Sequence, residues 1–328
     1  MKPVLVVVGV LLVSSVNFSV SKDAALETVS KHGKLSVSGV DLVDENGEKV
    51  QLKGMSLFWD VWMPQYYNKE SIDGVQALCH SNVVRAAISV VTDYDGGYIE
   101  NPDAALERLF AVVDAAIEDD IYVIVDWHDH AADTHLNYSL EFFDIVSKKY
   151  GGIPNIIYET FNEPTSESWD DILKPYHEEV INTIRANDPD NIIVVGSPTW
   201  SSAVDQPAAN PITDQKNIMY TLHFYAGTHK QWLRDTATEA LNNGLPLFVT
   251  EYGTVNADAT EPVDPEESRL WWDWLDEHNI SYVNWVIASH EVEGEGASAL
   301  IEDTLPSQVC QEEYLTESGK LVVAQNKS

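Results

Sequence analysis

Two short stretches place acids where β-prone runs end. Ile156-Ile157-Tyr158-Glu159-Thr160-Phe161-Asn162-Glu163-Pro164 opens apolar and closes on Asn162-Glu163, with Pro164 stopping the ladder and keeping Glu163 extended. Leu247 to Thr250 leads in the same way into Glu251-Tyr252-Gly253. A buried carboxylate is costly without a partner, so an acid placed there either anchors something local or reacts. Two such acids brought face to face make a general acid and a nucleophile.

Other chemistries have weaker support. Asp126-Trp127-His128-Asp129-His130 ends a third run, and His128 and His130 point the same way on an extended strand, with Asp126 and His135 near. A catalytic metal needs ligands converging from other strands as well. His177-Glu178-Glu179-Val180-Ile181 begins like a zinc-protease helix but lacks the second histidine. Gly294-Glu295-Gly296 is too acidic to cradle phosphate, and no Gly-x-Ser-x-Gly elbow is present. No metal and no cofactor is expected.

The elements that must position these residues follow a strand–loop–helix rhythm. β-prone runs lie at Lys53–Leu57, Val83–Ile88, Ile121–Asp126, Ile156–Phe161, Ile192–Gly196, Ile218–Phe224, Leu247–Thr250 and Tyr282–Ile287. Helical periodicity marks Asp103–Asp119, Leu140–Tyr150, Trp169–Asn187, His229–Asn242 and Glu266–Glu277. Pro102 and Pro265 stand at two helix entries. This alternation predicts an α/β fold, a (β/α)8 TIM barrel, whose usual length is ~250 residues. A doubly wound sheet would want a phosphate-binding glycine turn after its first strand, and Gly54-Met55-Ser56 is not one. Ahead of the barrel, Leu35 to Val43 and Lys49 to Lys53 flank Asp44-Glu45-Asn46-Gly47, which predicts a short N-terminal β-hairpin with Asn-Gly at its tip.

Composition bounds the setting. The 328 residues are 44% hydrophobic and 10% aromatic, ample for a large core. Lys2, the apolar run Val4 to Val13 and Ser19-Val20-Ser21 read as a signal peptide over 1–21, and the apolar run itself is too short to span a bilayer. Residues 22–33 read as a poorly ordered extension, and 34–328 as one catalytic domain. Removing the signal peptide makes the formal charge of −34 one unit more negative. Such acidity argues against nucleic acid and anionic membranes as partners, because phosphate binding needs a basic footprint. A secreted monomer is the expectation. Cys79 and Cys310 are the two cysteines; they either close one bridge in an oxidising compartment or stay as buried thiols. The nearness of first and last helices in a closed barrel motivates the bridge.

In such a barrel the C-terminal strand ends form the active-site face. Arg85 comes from the second strand, His128 and His130 from the third, Asn162 and Glu163 from the fourth, and Trp200 from the segment after the fifth. His223 and Tyr225 end the sixth, Glu251 the seventh and Trp285 the eighth. Two glutamates from strands four and seven are what double-displacement glycoside hydrolysis needs, with carboxyls roughly 5–5.5 Å apart. Trp62, Trp200 and Trp285 could stack on pyranose rings, whereas Trp271, Trp272 and Trp274 are better read as helix core.

Ile156 to Thr165 resembles the signature of glycoside hydrolase family 5 at every position, and the similarity runs from about Leu35 to Leu300. It takes in Arg85-Ala86-Ala87, Asp95-Gly96-Gly97-Tyr98, Asp126-Trp127-His128 and Thr250-Glu251-Tyr252-Gly253. Within that family the chain is most similar to secreted endo-β-1,4-glucanases of the bacterial type, which also occur in some invertebrates. The resemblance implies that Glu163 is the acid/base and Glu251 the nucleophile. It implies that Arg85 and Tyr225 hold the nucleophile, and that Asn162 bonds the sugar 2-hydroxyl. His128 and His223 would line that subsite, with Trp285 its platform; Trp62, Trp200 and His130 would touch substrate. An endo-β-1,4-mannanase or a transglycosylase on the same barrel is the alternative. Two places depart from the family: Phe58-Trp59 replaces a histidine, and Val286 to His290 with an acidic run through Glu295 replaces a lysine and a glutamate.

Overall fold

The computed structural model describes residues 26, 28–91, 96–259, 262–289 and 296–328. The signal-peptide reading over 1–21 lies outside the described residues, as do Asp95 and the acidic run 290–295. Among the described residues, no helix is long and apolar enough to cross a membrane.

A two-stranded antiparallel sheet, β1 (Ser36–Ser38) and β2 (Asp41–Val43), precedes eight parallel strands. These are β3 (Lys53–Leu57), β4 (Val83–Ser89), β5 (Tyr122–His128), β6 (Ile156–Glu159), β7 (Ile193–Val195), β8 (Ile218–Tyr225), β9 (Leu247–Gly253) and β10 (Tyr282–Ile287). They close in sequence order, with β10 pairing both β3 and β9, so the barrel has no free edge. The fold is the (β/α)8 barrel that the alternation predicts.

Three details differ from expectation. The N-terminal sheet forms within the first β-prone run, turning at Gly39 (φ 65°), while the Asp44–Gly47 turn joins the second run by a single bridge, Val43 to Lys49. Val29–His32, expected to be poorly ordered, is a helical turn: the Val29 N–H donates to the Asp120 carbonyl at 3.0 Å, and His32 lies 3.3 Å from Asp44. The helices Lys69–Ala77 and Glu317–Asn326 are additional to the five helical stretches expected. In the first, mid-helix Gly74 lets the Val309 carbonyl approach where a Cβ would stand.

Strand parity decides what faces the barrel axis. Val83, Ile124, Ile157, Val194, Met219, Phe248 and Val283 form one buried cluster with Leu35, Leu42, Val50 and Leu52, which close the N-terminal mouth. Their neighbours Val84, Val125, Tyr158, Ile193 and Val249 pack outward against the helices. Two residues beyond the inward apolar layer, on the same face, come Arg85, Asp126, Glu159, Thr221 and Thr250. Fully burying an apolar side chain contributes about 1.5–3 kcal/mol. The layer beneath thus offsets the several kcal/mol that each buried ion costs.

Cys79 and Cys310 form a disulfide, with Cα atoms 5.4 Å apart and a sequence separation of 231. It ties the end of Lys69–Ala77 to the segment before Glu317–Asn326. Chain-entropy reasoning for so long a loop, set against typical measurements, suggests a contribution of about 2–4 kcal/mol. Cys79→Ser/Cys310→Ser is predicted to lose about that much in guanidinium unfolding. Wild-type protein unfolded with reductant should match it; a midpoint indifferent to reductant would exclude the bridge as a stabiliser.

Candidate active site

Arg85 is wholly buried and binds four side chains at once. Its Nε donates to Glu159 Oε2 at 2.8 Å, Nη1 to Glu251 Oε2 at 2.9 Å, and Nη2 to Asn162 Oδ1 at 2.7 Å. Asp126 Oδ2 lies 2.9 Å from Nη2. Only a planar fork with several donors can serve so many acceptors in a plane. Burial works against the charge, but Asp126, Glu159 and Glu251 raise the Arg85 pKa, so it stays a cation.

Glu251 lies near the end of β9 with its oxygens taken by Arg85 and by the Tyr225 hydroxyl, which donates to Oε1 at 2.8 Å. A Cβ at Gly253 would overlap the Tyr225 ring, so glycine there admits the tyrosine. Glu163 follows β6, its N–H donating to the Asp129 carbonyl at 3.3 Å. His223 Nδ1 lies 2.9 Å from Glu163 Oε1, and His130 Nε2 3.2 Å from Oε2. One oxygen of each glutamate and one nitrogen of His223 all lie within 4.8 Å of one another.

The electrostatics place a proton at this junction. Burial disfavours a charged His223, but Glu251, Glu159 and Glu163 more than compensate and raise it to about 9. Burial pushes Glu163 up, yet His130 and His223 together hold it down at about 2. Burial and the Glu163 charge push Glu251 up against His223, Arg85 and Tyr225. In the resting site the acidic proton therefore sits on His223, hydrogen-bonded to Glu163. Were it to move onto Glu163, the charge that raises Glu251 would vanish.

The three histidines around β5 diverge. His128 Nδ1 lies 2.6 Å from Asp126, His135 Nδ1 lies 2.6 Å from Asp129, and His130 faces Glu163. Among the described residues, Glu163, His223 and Glu251 are the set whose ligand atoms converge. A cation there would face the Arg85 guanidinium and a protonated His223, so the arrangement suits proton transfer better.

Aromatic groups mark two sides of the barrel mouth. From β3 and β10, Trp62 is 43% exposed, while Trp285 lies flat on His128, with centroids 5.2 Å apart and planes at 3°. Trp59 meets His128 edge-on at 4.2 Å, and Phe58 packs on Trp285 at 5.4 Å. On the opposite side, after β7, Trp200 is 56% exposed. Thr199, Trp200 and Ser201 all have left-handed backbone (φ 59°, 52° and 54°), a conformation costing non-glycine residues roughly 1–3 kcal/mol each. The turn is held by the Trp200 N–H on the Pro164 carbonyl at 2.7 Å and by the Ser201 hydroxyl on the Asn162 carbonyl at 2.8 Å. A cavity of about 510 Å³ runs from Glu163 along Trp200.

Residues 43–291 match the family described as cellulase, glycosyl hydrolase family 5. The chain belongs to that family. Endoglucanase Z of Dickeya dadantii is 44% identical over 292 residues, 88% of this chain and 65% of that protein. A solved structure from Cytophaga hutchinsonii is 50% identical, with a TM-score of 0.87 and coverage of 91% of this chain and 96% of that one. The Thermobifida fusca endoglucanase Cel5A catalytic domain in complex with cellotetraose is 30% identical, with a TM-score of 0.83, covering 92% and 100%. The chain spans 65%, 66% and 56% of the first three curated relatives it matches, about two-thirds or less.

The structure brings Arg85, His128, His130, Asn162, Glu163, His223, Tyr225, Glu251 and Trp285 of this family-5 protein into one connected cluster; Trp62 and Trp200 stand on its two rims. Sequence reasoning gave no role to Glu159 and Thr250. Thr250 donates to Glu159 Oε1 at 2.6 Å and lies 3.0 Å from His223 Nε2. The signal was there: Glu159 is an acid inside an apolar strand, and a buried carboxylate demands partners. Trp59 and Trp232 were also left without a role.

Removing Arg85 strands three buried carboxylates. Arg85→Ala is predicted to cost about 3–5 kcal/mol in denaturant unfolding. A second test uses His223, which binds its proton more tightly folded than unfolded. Its contribution to stability is complete below the unfolded value of about 6.5 and is lost as pH rises through about 9. His223→Asn should therefore flatten the decline in unfolding free energy across that window, and equal slopes in both proteins would refute the assignment.

Proposed function

We propose that this protein is a secreted, retaining endo-β-1,4-glucanase. The observation that carries the reading is the approach of Glu163 and Glu251 within 4.8 Å. Double displacement uses carboxyls roughly 5–5.5 Å apart, whereas inversion leaves roughly 6.5–9.5 Å for a water. Glu251 is the nucleophile: Arg85 and Tyr225 aim it and support its negative charge. It attacks the anomeric carbon as the glycosidic bond breaks, and Glu163 gives a proton to the departing oxygen. That proton comes from His223, which lies in hydrogen-bond contact with Glu163. Water then attacks the same carbon and returns a proton to Glu163, and Glu251 leaves with the configuration retained.

The Asn162 side-chain oxygen Oδ1 is taken by Arg85, so its side-chain nitrogen Nδ2 is the group that can donate to the 2-hydroxyl. Trp62 and Trp200, exposed on either side of the paired acids, suit a polymer that passes through rather than a chain end that stops. Relatives named as endoglucanases and a neighbour holding cellotetraose support β-1,4-glucan as the polymer. The apolar leader and the disulfide favour export to an oxidising compartment.

Carboxymethylcellulose should release reducing ends far faster than mannan or xyloglucan, with the β-anomer appearing first by proton NMR; faster release from mannan would reassign the substrate. Glu163→Gln should lower turnover by about 10²–10⁴-fold. Glu251→Ala should remove turnover while the protein stays folded, and azide should restore part of it by taking the nucleophile's place. Near-wild-type rates in Glu251→Ala would exclude the mechanism.

A further inference from the structure

The cavity beside Glu163 has a second exposed indole. Trp232 is 54% exposed, near the start of the helix Gln231–Asn242, and lines the same space as Trp200. Large apolar rings left bare inside a concave site point to a ligand, because solvent exposure forfeits their burial free energy. Neither indole is needed to cover the core.

The polar groups between them fit a hydroxyl-rich ligand. The Tyr225 N–H donates to His229 Nδ1 at 2.8 Å, which leaves the proton of the neutral imidazole on Nε2. Burial lowers the His229 pKa, favouring that neutral form. The His229 and Trp232 rings lie 5.8 Å apart, and both line the cavity with Asp258. An indole face, an imidazole N–H and a carboxylate suit a pyranose ring, which has an apolar face and an equatorial rim of hydroxyls.

Barrel order says which end of the chain would lie there. Trp62 and Trp285 come from β3 and β10; Trp200, Trp232 and Asp258 follow β7, β8 and β9. Glu163, which protonates the departing oxygen, opens onto the second group. We propose that Trp232 is a sugar platform on the leaving-group side, so that this site grips a β-1,4-glucan extending past the first sugar beyond the scissile bond. The inference rests on the glucanase reading above.

The test compares cellohexaose with 2,4-dinitrophenyl β-cellobioside, whose aryl leaving group ends near the first leaving-side position. In Trp232→Ala the ratio of kcat/KM for cellohexaose to that for the aryl glycoside should fall about tenfold, the scale of one lost stacking contact. Trp232→Phe should keep most of the ratio. Cellohexaose labelled at its reducing end should be cut nearer the label by Trp232→Ala than by wild type. An unchanged ratio and an unchanged cleavage position would overturn the platform while leaving the glucanase intact. Wild-type protein that turns over neither compound would instead remove the glucanase reading itself, and the platform with it.

Discussion

One guanidinium with three buried carboxylates and an amide around it organises this molecule. Arg85 stands where the barrel's apolar filling gives way to its polar mouth, and its donors reach β5, β6 and β9. Each of those strands carries or leads into a residue that the proposed chemistry uses: His128 on β5, Glu163 after β6 and Glu251 on β9. A buried cation of this kind is a poor source of net stability, because desolvation consumes most of the Coulomb gain. Its value is positional. Glu251 cannot rotate away without leaving a charge unpaired in a medium of low polarity, so the carboxylate proposed as nucleophile is held in place before any substrate arrives.

The second constraint is a proton balance. Asp126, Glu159, Glu163 and Glu251 crowd around Arg85 and two histidines, and burial penalises every charge among them. Asp126 is pushed well above the usual carboxylate range by burial, with Glu159 and Glu251 adding to the push against Arg85. His128, flanked by Arg85, is driven well below the usual range, burial being the larger cause, and remains neutral. His223 takes the opposite course because it has carboxylates on both sides. Two histidines on one barrel face thus end in different charge states, one neutral and one cationic, set by which neighbours each strand end supplies.

The same parity explains why the site sits at one end of the barrel. Inward residues at the lower level are apolar and pack with the N-terminal segment, closing that mouth. Inward residues two positions on are polar and can be satisfied only by one another or by ligand. The chain closes one end with a core and leaves the other as a reactive surface, with indoles on both rims.

The sequence by itself determined a good deal. Eight β-prone runs between helical stretches predicted the barrel, because period-two and period-3.6 patterns are local properties. The acids after β6 and within β9 were legible as strand-end groups, and the family signature around Glu163 assigned their neighbours. The helix Lys69–Ala77 was not among those expected, and the reason for its mid-helix glycine, a carbonyl more than two hundred residues away, lies outside any local pattern. The Cys79–Cys310 bridge was one of two readings open for the only two cysteines. The bridging role of Glu159, the divergence of His128, His130 and His135, and the meeting of Trp200 with Trp232 across one cavity were closed to sequence reading. Each depends on distances between strands, which chain order alone does not contain. Barrel closure sets those distances, and they decide which carboxylate shares its charge with Arg85 and which shares its proton with His223.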